Sequence, residues 1–173
     1  MKWLGHGSTG AARMAMSSWP STFTLSTDAS FQRDFPRLRP HHCDLNSVST
    51  ATPNYNCIAW AASESDRWWE PDSQLNYYWP PNVVREYTLS AYIEAYRSLG
   101  YEICASEALE VDIEKVAIFA DGDWPTHAAR QLSDGKWTTK FGRAEDIDHI
   151  DLNCLTGGIY GRVHVFMQRI RIK

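Results

Sequence analysis

The chain has 173 residues, 43% of them hydrophobic, with a formal charge of −4 at neutral pH. That length and apolar content suit one domain with a core of its own. The acidic balance and the lack of a basic stripe argue against nucleic acid or an anionic membrane as partner, and no run approaches the roughly 18 apolar residues of a spanning helix.

Residues 1–34 are rich in Ser, Thr, Gly and Ala without a period, and are expected to form a loose or disordered arm. The body, residues 35–173, starts at Phe35-Pro36-Arg37-Leu38. His41-His42-Cys43 reads as loop, and no metal site is expected. Pro53 to about Ser65 reads as a helix: Pro53 suits its first turn, and Ile58 to Ala62 form a continuous apolar run. Cys57 then falls near the helix start. Residues 66–82 are an irregular loop dense in Trp, Tyr and Pro.

From about 84 to 99 an amphipathic helix is expected, because Leu89, Tyr92, Ile93, Tyr96 and Leu99 share a face and Gly100 closes it. Strands follow at Tyr101–Cys104 and Lys115–Ala120. His127–Leu132 and Lys136–Phe141 flank Ser133-Asp134-Gly135 as a hairpin. Residues 144–155 read as a helix with Glu145, Asp146 and Asp148 in its first turn. Tyr160–Ile172 alternates as a terminal strand. The expected class is α+β, with the cysteine-bearing helix packed on an antiparallel sheet.

The four cysteines, Cys43, Cys57, Cys104 and Cys154, make no CxxC pair, which excludes a zinc ribbon. Residues 11–16 carry Arg13 and are too short for a signal-peptide core. Reduced thiols in a cytoplasmic setting are therefore expected, with export by a dedicated secretion system left open.

Cys57 and His127 are the pair that could carry chemistry. A thiol with a reference pKa near ~8.5 needs help to ionise. An imidazole within reach can take its proton, and N–H groups at a helix start can face an oxyanion. Asn54 or Asn56 would add a side-chain N–H there. Trp68, Trp69 and Trp79, with Tyr77 and Tyr78, either complete the core or wall a substrate groove. The bland reading is a cysteine that fills core and a histidine that hydrogen-bonds within it. Cys104 and Cys154 read as core, and His149 and His164 as structural.

The strings Tyr55-Asn56-Cys57-Ile58-Ala59-Trp60-Ala61, Thr126-His127-Ala128-Ala129-Arg130-Gln131-Leu132 and Asp134-Gly135-Lys136-Trp137-Thr138-Thr139-Lys140-Phe141-Gly142 resemble a family of uncharacterised small bacterial domains. Their layout is similar to the papain-like superfamily, especially its NlpC/P60 and bacteriocin-processing (C39-like) branches. The resemblance implies a cysteine at the head of the central helix, a histidine on a later strand, and a third residue about a dozen positions on. Thr139 or Lys140 stands there, and neither is the usual His, Asn, Asp or Gln. A Thr139 hydroxyl can accept from the imidazole, and Asp146 would orient it more strongly after a chain reversal. The implied activity is a cysteine hydrolase that cleaves a peptide or protein amide through a thioester acyl-enzyme, with no cofactor. The alternatives are an inactive protein-binding module on the same fold, and a secreted toxin or effector domain with the same chemistry.

Overall fold

The computed structural model describes residues 29–39, 42–44 and 49–171. Most of the expected arm, residues 1–28, lies outside them, as does His41. In chain order the elements are α1 (Ala29–Asp34), β1 (Cys43–Asp44), α2 (Cys57–Ala61), α3 (Leu89–Arg97), β2 (Glu102–Cys104), β3 (Ile113–Asp121), β4 (Trp124–Gln131), β5 (Trp137–Lys140), β6 (Asp146–His149), a 3-10 turn (Asn153–Leu155) and β7 (Arg162–Ile170). The strands form one seven-stranded sheet, ordered β1-β6-β5-β4-β3-β7-β2. Every neighbouring pair is antiparallel.

The long interior strand β3 is apolar along most of its length because both of its faces are covered. Val116 and Ile118, with Ala128 and Met167, face a core built from α2, α3 and the aromatic loop. Ala117 and Phe119, with Ala129, Trp137 and Phe141, face a second core closed by Phe35, Leu38, Leu155 and Tyr160. The two-residue pleat thus divides each central strand between two hydrophobic layers.

The expected papain-like arrangement, a cysteine-bearing helix packed on a sheet in an α+β fold, is not what the chain forms. The antiparallel sheet dominates, and among the described residues the α-helices are short, with 6, 5 and 9 residues. Local causes are visible for each shortfall. Helix α2 stops at Ala61 because Ser63 turns to φ 66°, a left-handed conformation that ends a helix. Helix α3 begins only at Leu89, where the Thr88 hydroxyl accepts the Ala91 N–H.

Residues 146–149 form β6 in place of the expected helix. Ile147 enters the second core and Trp137 lies opposite His149, while Asp146 meets Tyr55 on the other side. Of the acidic residues that looked like a helix's first turn, Asp146 and Asp148 are alternate positions of a period-two strand and Glu145 precedes it.

Two contacts fix α2, one to the sheet and one to α3. Trp60 Nε1 donates to Thr138 Oγ1 of β5 at 3.1 Å. Tyr96 of α3 donates its hydroxyl to the Ile58 carbonyl at 3.0 Å, which satisfies an acceptor inside the core. Full burial of Ile58 alone contributes about 2 kcal/mol.

Candidate functional site

Cys57 is the first residue of α2, and its position is set by the cap before it. Asn56 is extended and buried; its Oδ1 accepts the Ala59 N–H at 3.1 Å and the Trp69 N–H at 3.4 Å. Its Nδ2 donates to the Trp69 carbonyl at 2.7 Å. One side chain therefore caps the helix and ties the aromatic loop to it. Asn54 is exposed, and its backbone N–H donates to Thr52 Oγ1 at 3.2 Å.

The three tryptophans named from the sequence belong to the same core as Cys57. Trp68 Nε1 donates to Glu70 at 2.8 Å, Trp69 Nε1 to Glu64 at 2.9 Å, and Trp79 Nε1 to the Val84 carbonyl at 3.0 Å. Backbone bonds between Glu70 and Tyr78 and between Tyr78 and Trp68, each 3.0 Å, fold the loop onto itself. These rings complete the core over α2.

His127 is held at three points. Its ring stacks on Tyr160 with centroids 3.7 Å apart and 8° between planes, and Phe119 meets it edge-on at 5.6 Å. Nε2 is hydrogen-bonded to Thr139 Oγ1. The Thr139 hydroxyl also donates to the Ala128 carbonyl at 3.0 Å. A hydroxyl has one proton, so with that proton on Ala128 it accepts from His127. Nε2 therefore carries the ring hydrogen and Nδ1 holds a bare lone pair. Nδ1 is buried without a hydrogen-bond partner.

The Cys57 sulfur faces the backbone N–H of Ala128, the residue that follows His127, as well as those of Cys57 and Ile58. It meets β4 from the α2 side, whereas the imidazole lies among the rings of the second core. The two side chains do not hydrogen-bond to each other. Tyr160, stacked on the imidazole, has its hydroxyl raised well above the ordinary tyrosine value, chiefly by burial.

Both groups rest neutral. Burial pushes the Cys57 thiol up to about 12, against the backbone N–H groups that favour the thiolate. Burial also holds His127 well below the ordinary histidine value, and His149 lowers it further. Each residue is 0% exposed.

Asp146 does not join them. It accepts from Tyr55 at 3.2 Å and pairs across the strands with Lys140. Burial raises its carboxyl, while Tyr55 and Lys140 pull it back down. Lys140 is buried with its Nζ on the Ala144 carbonyl. The fold thus joins His127 and Thr139 across β4 and β5, sets Cys57 against β4 from the α2 side, and leaves Asp146 with Tyr55. Sequence reasoning missed Tyr160 and the Ala128 N–H. Neither carries a local signal, because the first is placed by the turn before β7 and the second by strand pairing.

Among the described residues no three or more His, Cys, Asp or Glu gather as metal ligands. No helix among them is long and apolar enough to cross a membrane. No curated protein and no solved structure matches the chain. A family model does match, over residues 46–168, a span that includes Cys57, His127, Thr139 and Tyr160. Its description assigns no activity. The chain belongs to the family described as Domain of unknown function (DUF7689).

Proposed function

We propose that this domain is a cysteine hydrolase of amide bonds in a peptide or protein, with Cys57 as nucleophile, His127 as base and Thr139 as the residue that positions the imidazole. One observation carries the reading: Thr139 spends its proton on Ala128 and so leaves His127 with a bare, buried Nδ1. That is the tautomer a general base needs.

In the reaction, Nδ1 takes the thiol proton as sulfur bonds to the amide carbon. The imidazolium then returns the proton to the departing amine, leaving a thioester on Cys57. Water, deprotonated by Nδ1, attacks the thioester and releases the acid and the thiol. The backbone N–H groups of Cys57, Ile58 and Ala128, which favour the thiolate, are the donors assigned to the developing oxyanion. The resting sulfur lies on the α2 side of β4 and the imidazole in the second core, so the reaction requires the chain to open and bring sulfur and Nδ1 together.

The test is incubation with a library of peptide amides, quenched in acid and read by intact mass. A thioester adduct on Cys57 and amide turnover, both lost in Cys57→Ala and His127→Ala, are the expected result. Folded wild-type protein that forms no adduct and turns over none of the amides overturns the proposal. That outcome favours the second reading, a non-catalytic binding module, for which the complete burial of both groups speaks.

A further inference from the structure

A groove of about 500 Å³ lies between the end of β3, the start of β7 and the 3-10 turn. Its volume is in the range of small-molecule sites. Arg37, Arg162 and His164 line it, with Asp121 as the acid among the lining residues. The chain as a whole carries −4, so general composition does not account for a groove in which guanidiniums outnumber carboxylates.

Arg37 is fixed by neutral oxygens. Its Nη1 donates to Asn153 Oδ1 at 2.7 Å and to Thr156 Oγ1 at 2.8 Å. Arg162 Nε donates to His164 Nε2 at 3.3 Å, which joins the second guanidinium to the imidazole. Among the described residues, the ion pairs link Arg33, Arg67, Arg85, Arg97, Lys115, Lys136 and Arg169 to acids, and neither Arg37 nor Arg162 takes part. Two fork-shaped donors without a carboxylate, one already locked in place, suit an oxygen anion that accepts from both. Locking Arg37 beforehand lowers the ordering cost of binding.

We propose that this groove binds the phosphate or carboxylate group of a small anionic ligand, with Arg37 and Arg162 as paired donors. The site does not depend on the Cys57 chemistry and stands or falls separately from it.

The 173-residue chain is titrated with inorganic phosphate and, separately, with succinate. Sodium chloride at matched ionic strength is the control, and the arginine Nε–H signals in NMR are the readout. A saturable shift of the Arg37 and Arg162 signals by either anion, absent with chloride, is expected. Response to phosphate alone identifies a phosphoryl ligand, and response to succinate alone a carboxylate. Arg162→Gln, at an exposed strand end, is expected to keep the fold and weaken binding about tenfold, and Arg162→Lys to recover part of the loss. A linear response to all three salts, or equal affinity in Arg162→Gln and wild type, overturns the proposal.

Discussion

Thr139 joins two residues of the neighbouring strand with one hydroxyl: it gives its proton to the carbonyl of Ala128 and receives the Nε2 hydrogen of His127. The β4–β5 register, in which Ala129 lies opposite Thr139, makes this possible. Nearest diagonal neighbours on a sheet face are within reach of a ring and a short side chain.

Thr139→Val keeps the shape and removes both bonds. It leaves a buried N–H on His127 and a buried carbonyl on Ala128 with less than they had, so a loss of about 1–3 kcal/mol is expected. Thr139→Ser should recover most of it. Urea midpoints of the three proteins measure the difference. A midpoint for the Val variant equal to wild type would mean that the hydroxyl does not hold the ring.

The Cys57 thiol, raised to about 12 and fully buried, should resist alkylation at neutral pH. Cys104 is partly exposed at the sheet edge and should react first with iodoacetamide. Peptide mass mapping over a time course reads the order. In strong denaturant Cys57 should catch up with Cys104. If Cys57 reacts as fast as Cys104 in native buffer, the resting site is open and the closed geometry is wrong.

His149 is pushed down to about 4, chiefly by burial, from an unfolded value of 6.5. The folded state therefore binds fewer protons than the unfolded state between those values, and stability rises with pH across that window. Lowering the pH from 7 to 5 should cost about 2 kcal/mol through this residue. His127 is depressed in the same direction and adds to the loss. A urea midpoint that does not fall over this range would contradict neutral, buried imidazoles.

Gly158 marks where the chain near α1 docks on the rest. A Cβ there would stand 1.9 Å from the Asp34 carbonyl oxygen, which also accepts the Ile159 N–H at 3.1 Å. Gly158→Ala must push this backbone contact apart and should destabilise by about 2–3 kcal/mol. Thermal denaturation of the variant tests it. An unchanged transition would show that the Asp34 segment can leave the body without cost.

What the sequence determined by itself was local. The two-residue alternation of residues 160–172 marks β7, Ser133-Asp134-Gly135 marks the turn between β4 and β5, and the apolar spacing from Leu89 marks α3. The family resemblance points about a dozen residues past His127, to Thr139 or Lys140, and only the β4–β5 register, with Ala129 opposite Thr139, puts the Thr139 hydroxyl on the imidazole. The tertiary structure decided everything that depends on which face of a strand is buried. Asp146 to His149 carry both a helix-like run of acids and a strand-like alternation, and only the second core beneath Ile147 selects the strand. Likewise, no local pattern says that Tyr160 covers His127 or that the Ala128 N–H meets the Cys57 sulfur. Such contacts arise from burial of two opposite sheet faces at once, a long-range condition that no short window of sequence contains.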